Sequence, residues 1–490
     1  MRVTRWHLQR GVLVVAGVAA ALSTAPGIPV ASAATVPGPV LRLEAAQRSI
    51  TLERVGGKVL LDPGIWVAAL GSPLQFDVRR MPYTSPITIT QIIHAPFGGI
   101  VRRPLPTSIL DGWNGLRRFI RLTARNAAGQ VVVSHQVTFC PDSYQPARVR
   151  PASPPTSPYP QQCPTVPFAR GMVWGVQKGW AIDPIQTDFF GPGPVKLPLG
   201  VYRLTETISS VYRRLFGISA RDATATVTVK VVKGRARSAT AYPARTPGSL
   251  PSAPAVPYLK QPPPAALPDL VALPAWQIRS SHSSKGDFLD FAATVWIGGN
   301  GPLDVEGFRS HASPVMKAYQ YFWRGGHVIG RARAGTMGFD NRRGHNHWHF
   351  EQFARYALVN AAKSLVVRSH KQGFCIAPSD EVDLLLPHAV WQPPFVGLQG
   401  ECGSPTALWV AEELPVGWGD TYIQSIAGQS FNITHVPNGT YYIEVIANPE
   451  RVLSETTTGN DISLRKLILG GTSGHRTVKV PPWHGIDPEP

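Results

Sequence analysis

Cysteine is scarce in this chain, with four in 490 residues. That excludes a disulfide-dense scaffold and leaves the cores to apolar packing, for which a hydrophobic content of 43% suffices. Acidic side chains are also few, 30 against 48 lysines and arginines, so the formal net charge is +18 and the pI is near 10.0. Arginine is spread along the chain rather than gathered in one run, and no recognised nucleic-acid motif accompanies it. The charge therefore favours anionic surfaces such as cell-wall polymers or acidic protein substrates, and no nucleic acid is expected as a partner. No stretch reaches about 18 consecutive apolar residues, which excludes a transmembrane helix. The first half holds no acid/base pair, metal triad or glycine-rich phosphate loop.

Proline is abundant instead. Its 48 residues are roughly twice the usual share of about 5%, and they gather in Arg150 to Pro167 and in Pro243 to Pro268. Both stretches read as extended connections. The N-terminus carries Arg2, Arg5 and Arg10, then an apolar run from Gly11 to Leu22 and small residues ending at Ala33, the layout of a secretory signal peptide over 1–33. The expected localisation is secreted and extracellular. Strict alternation in Thr224 to Val231, in Leu74 to Arg79 and on either side of an Asn126 to Gly129 turn predicts β-sandwich modules over 36–235. A proline-rich linker, 236–266, is expected to isolate this part from a second β-rich domain, 267–480, in which Phe288 to Trp296 and Thr440 to Ile446 read as strands. Gln352 to Ser364 is the best short helix candidate there. The fold class is thus mainly β. Four cysteines in an exported chain are expected to pair by proximity, Cys140 with Cys163 and Cys375 with Cys402.

His345, His347 and His349, in GHNHWHF (Gly344 to Phe350), stand at alternate positions. On an extended chain that spacing brings three imidazoles to one side, which is most of a metal site. Zinc and copper both accept three histidines, and copper binds nitrogen sites more tightly, but spacing alone does not choose. A zinc hydrolase finds little support without an HExxH helix. Downstream come FEQFARYAL (Phe350 to Leu358), SHKQGFC (Ser369 to Cys375), GWGDTY (Gly417 to Tyr422) and VPNGTYYIEVIANPERVLSETTTGND (Val436 to Asp461). In this order they resemble the catalytic domain of the lysyl oxidases, copper amine oxidases that act on the ε-amino group of lysine in proteins. The likeness runs from LPDLV (Leu267 to Val271) to GHR (Gly474 to Arg476), less than half the chain. Only Cys375 and Cys402 fall within it, so most disulfides of the animal enzymes are absent.

The resemblance implies that His345, His347 and His349 bind copper(II), and that Lys371 and Tyr422 fuse into lysine tyrosylquinone. Copper uses oxygen to oxidise Tyr422, and an unprotonated Lys371 adds to the ring, a step favoured if burial lowers the lysine pKa. The implied activity is oxidative deamination of peptidyl-lysine or other primary amines by O2, giving aldehyde, hydrogen peroxide and ammonia. A general base is needed, for which Asp420, His435 and Glu351 are the candidates. His475 matches the family with no derivable role, and Glu455 and Asn460 read as turn-forming residues. Taken singly, Lys371 would be a solvated loop lysine and Tyr422 a half-buried strand tyrosine. Their joint occurrence after the histidines favours the chemical reading. The alternative is a non-enzymatic extracellular β-sandwich protein whose histidines hold a structural or scavenged metal, and quinone formation separates the two.

Overall fold

Alternating side chains dictate strands, and the computed structural model is built almost wholly of them. It describes residues 38–489 apart from 96–97, 144, 186–192, 235–255, 311, 343–345, 370, 372, 394–401 and 427. The expected signal segment and most of the proline-rich linker lie outside the described residues. Strand Thr224–Lys233 buries Val227, Val229 and Val231 and turns Thr228 and Lys230 outward, while Leu74–Arg79 buries Leu74, Phe76 and Val78. Leu116–Arg125 and Val131–Phe139 form an antiparallel pair. Its turn is closed by Asn126, whose Oδ1 accepts the Gln130 N–H at 3.0 Å.

Up to Lys233 the strands make three sheets of four, four and seven, and from Pro268 three sheets of six, five and five. Ser210–Phe216 is the only α-helix among the described residues, and none of their helices is long and apolar enough to cross a membrane. The helix expected over Gln352 to Ser364 is instead a strand, Ala354–Asn360, paired antiparallel with Gly439–Ala447. Four of its residues in a row, Tyr356 to Val359, are buried, which a sheet covered on both faces demands and a short amphipathic helix cannot give. The strands expected around Phe288 and Thr440 are present as Gly286–Gly299 and Gly439–Ala447. Both expected disulfides, Cys140–Cys163 and Cys375–Cys402, are formed.

The isolation of the two halves expected from the prolines is not what the packing shows. One continuous set of buried apolar side chains runs from Leu41 to Leu469. The Arg170 N–H donates to the Val382 carbonyl at 2.6 Å and the Leu384 N–H to the Gly171 carbonyl at 2.7 Å, so the chain before the linker joins the chain after it by main-chain pairing. Aromatic contacts extend the seam. Tyr159 stacks on Trp391 at 6.2 Å, and Tyr83 and Phe168 meet Trp483 edge-on at 4.9 and 5.2 Å.

Gly115 sits at the start of the Leu116–Arg125 strand at φ 120°, where a Cβ would run into the Phe139 carbonyl. Gly115→Ala is expected to destabilise the chain by about 3 kcal/mol, through backbone strain and overpacking together. Gly112→Ala, at φ 58° with open space around it, should cost about 1 kcal/mol. Denaturant midpoints of the two variants check this, and equal shifts would contradict it.

Candidate functional site

Tyr422 ends the strand Trp418–Tyr422, which lies between Gly286–Gly299 on one side and Asp380–Glu381 on the other. Tyr422 stands opposite Ala293, and Gly419 opposite Asp380. In a strand alternate residues share a face, so Asp420 and Tyr422 point together while Thr421 points to the other face. There the Thr421 hydroxyl is 2.9 Å from that of Thr294. Tyr422 is only 7% exposed, its hydroxyl donates to the Cys375 carbonyl at 3.0 Å, and its ring meets Phe374 edge-on at 5.0 Å. The reading of Tyr422 as a half-buried strand residue is overturned.

Lys371 follows the strand Leu365–Arg368 and is 2% exposed, so it is no solvated loop lysine. Ser369 pins the loop, its Oγ donating to the Gly428 carbonyl at 2.7 Å and accepting the Lys371 N–H at 3.1 Å. Gly428 is at φ 87°, and a Cβ there would come within 3.2 Å of the Lys371 nitrogen. These contacts hold the Lys371 Nζ 4.4 Å from the centroid of the Tyr422 ring and 5.4 Å from that of Phe374.

The histidine strand, His347–Phe350, is stitched to both segments. Phe350 and Phe374 exchange main-chain hydrogen bonds of 2.8 and 3.0 Å, and the Trp348 N–H donates to the Cys402 carbonyl at 2.6 Å. The Cys375–Cys402 disulfide closes this loop beside the Tyr422 hydroxyl. His347 and His349 project from one face, with their Nε2 atoms 2.9 Å apart. That separation is a hydrogen bond between the rings, and it is also close to that of two donors about 2.0 to 2.1 Å from a shared ion, so the pair could supply two ligands, though no group of three ligating side chains is present among the described residues. His345 lies outside the described residues. The extended run itself begins only at His347, because Asn346 is left-handed at φ 58°. Behind His349, the Asp340 Oδ2 is 3.6 Å from its Nδ1, and Arg342 holds that carboxylate with Nε at 2.9 and 3.0 Å. At that distance the carboxylate acts on the imidazole by its charge rather than by a hydrogen bond.

Burial dominates the electrostatics. It pushes the Lys371 amine down to about 8, against the nearby Asp420, which favours the charged form. The Asp420 carboxyl, 5% exposed, is pushed well above the usual range by burial, with Lys371 opposing. Burial likewise raises the Tyr422 phenol, so it stays protonated. Of the three candidate bases, only Asp420 is buried beside Lys371 and Tyr422. Glu351 is exposed at the rim of a groove of about 530 Å³ that Lys371, His349, Arg355 and Arg368 also line, and His435 is exposed. His475 is exposed at the start of its strand. Glu455 and Asn460 brace the strand Pro268–Ala272, Glu455 accepting the Leu270 N–H at 3.1 Å and Asn460 donating to Asp269 at 2.9 Å.

Sequence reasoning missed Ser369, Gly428, Phe374 and Asp340. Phe374 and Ser369 were inside a quoted motif, but Gly428 is distant in sequence from the lysine it crowds, and no local signal marks it.

No model of a known protein family matches the chain. It is 31% identical over 120 residues to lysyl oxidase homolog 2 of Gallus gallus, covering 24% of this chain and 13% of that protein. To lysyl oxidase homolog 4 of Bos taurus it is 28% identical over 141 residues, covering 28% and 17%. To lysyl oxidase homolog 3B of Danio rerio it is 29% identical over 140 residues, covering 28% and 16%. The matched stretch is thus less than a fifth of the length of these relatives.

Copper(II) retention is expected to depend on the histidine strand. Chain loaded with copper and dialysed should lose its metal in His347→Ala and in His349→Ala. Asp340→Asn should weaken affinity about tenfold through loss of the negative charge behind the imidazole. Full metal content in the double histidine variant would place the site elsewhere.

Proposed function

We propose that this chain, a relative of the lysyl oxidases, is a secreted copper-dependent amine oxidase that deaminates peptidyl-lysine or other primary amines to aldehydes, releasing hydrogen peroxide and ammonia. The observation that carries the reading is the buried Lys371 amine held 4.4 Å from the Tyr422 ring, beside a strand with two converging imidazoles. Copper would be held by His345, His347 and His349, and together with a lysine tyrosylquinone made from Lys371 and Tyr422 it would supply the oxidising chemistry with O2. The chain's own residues do the rest. Phe374 fixes the plane of the Tyr422 ring, and the Cys375 carbonyl fixes its hydroxyl. Burial keeps Lys371 more readily neutral than a solvated lysine, and so nucleophilic. Asp420, whose charge acts on the buried amine, would accept the proton that Lys371 Nζ gives up and would serve as the general base towards a substrate amine. The groove along Lys371, Arg355 and Arg368 gives a flexible lysine side chain a path from solvent. The excess of positive charge supports anionic proteins or cell-surface polymers as its surroundings.

Protein matured with copper and oxygen should yield, on digestion, one cross-linked peptide containing both Lys371 and Tyr422, and should release peroxide from a panel of amines and lysine-containing proteins. Lys371→Ala and Tyr422→Phe should abolish both signals. Peroxide release that persists without the cross-linked peptide would remove both residues from the assignment.

The cross-linking rate carries a pH signature. The reactive form is the neutral amine, whose fraction grows as pH rises through the lysine's pKa of about 8. The rate should therefore climb about tenfold per pH unit below that value and level off above it. A profile still climbing through pH 10 would mean that Lys371 behaves as a solvated lysine.

A further inference from the structure

The segment Gln162 to Gly171, which belongs to the part of the chain before the linker, lies against the strand that backs the candidate tyrosine. The Asp380 carboxyl is 3% exposed and accepts the Thr165 N–H at 2.9 Å and the Thr165 hydroxyl at 2.8 Å. Its main chain stands opposite Gly419 in the tyrosine strand. Beside it the Gln162 amide donates to the Ser379 carbonyl at 2.8 Å and to Glu381 at 3.4 Å. Ser379 Oγ in turn accepts the Thr421 N–H at 2.7 Å. Thr421 is thus held from its main chain through Ser379, while Asp380 pairs with Gly419 two residues away, and both Ser379 and Asp380 are held by the segment. Thr421 lies between Asp420 and Tyr422, so fixing it fixes both. The segment is itself anchored, since Cys163 is bonded to Cys140 and Arg170 and Gly171 are paired in register with Val382 to Leu384.

We propose that Thr165, through Asp380, is a positioning residue for Asp420 and Tyr422, and that the part of the chain before the linker is a clamp on the oxidase centre rather than a spacer. Its functional meaning rests on the amine-oxidase reading, while the clamp itself does not. The test uses the full chain, comparing wild type with Thr165→Val, Thr165→Ser and Asp380→Asn. Amide hydrogen exchange is read for Trp418–Tyr422 and, as a distant control, for Gly439–Ala447. Loss of one hydrogen bond to a buried carboxyl is worth about tenfold in local opening. Thr165→Val should therefore speed exchange across Trp418–Tyr422 about tenfold and leave the control strand unchanged, with Thr165→Ser restoring protection. The yield of Lys371–Tyr422 cross-linked peptide per bound copper should fall and recover in parallel.

Unchanged exchange at Trp418–Tyr422 in both Thr165→Val and Asp380→Asn would overturn the clamp. So would equal loosening of the control strand, or failure of Thr165→Ser to restore protection, because each marks the contact as general stability only. If exchange responds as expected while wild type gives neither cross-link nor peroxide, the clamp stands and the amine-oxidase reading fails.

Discussion

One primary amine kept out of water sets the terms for the centre of this protein. Removing a lysine ammonium from solvent costs several kcal/mol unless it is paired or deprotonated. Lys371 meets both conditions in part, since burial lowers its pKa while Asp420 draws it back towards the charged form. A lysine with no fixed partner geometry would swing out to the groove and recover its hydration. It stays because its loop is nailed down by Ser369 on Gly428 and because the Phe374 and Tyr422 rings wall its amine. The tyrosine is immobilised by a different mechanism, main-chain pairing on both sides of its strand. The amine is thus carried by a pinned loop and the ring by a sheet, with Phe374 and the Cys375 carbonyl joining the two, and the main-chain exchange between Phe350 and Phe374 registers the loop against the histidine strand. Several linked supports make the amine-to-ring distance a property of the C-terminal fold rather than of any single contact.

Much of this was legible in the sequence, and what was not has a physical reason. Strands with one buried face, such as Thr224–Lys233, announce themselves by alternation. Ala354–Asn360 does not, because it is covered on both faces and its run of apolar residues carries no period of two; a helix reading of the preceding polar residues then wins by default. The cysteine pairs were readable from separations of 23 and 27 residues. At the site, the motif order singled out Lys371, Tyr422 and the histidines as candidates but said nothing of how far apart they would lie. The choice among Asp420, Glu351 and His435 was open for the same reason. It turns on which carboxyl or imidazole is buried beside the amine, and burial is a tertiary quantity. Glu455 and Asn460, read as turn-forming residues, brace the strand Pro268–Ala272 at Leu270 and Asp269.

The prolines misled in an instructive way. A proline-rich stretch fixes how the chain travels between two folded parts, but it carries no information on whether those parts touch. What joins them is polar as well as apolar. Asp142, Asp380, Glu381 and Asp383 are all nearly or fully buried around the seam. Apolar side chains of similar size would stabilise such a junction at least as well, because each buried carboxyl must recover its lost hydration through hydrogen bonds. Asp380 recovers it from Thr165 across the seam, whereas Glu381 Oε1 and Asp142 Oδ2 have no hydrogen-bond partner. A greasy seam tolerates sliding, but a carboxyl satisfied only in one register does not. The seam therefore contributes alignment more than adhesion, and the element it aligns is the short strand lying directly against Trp418–Tyr422.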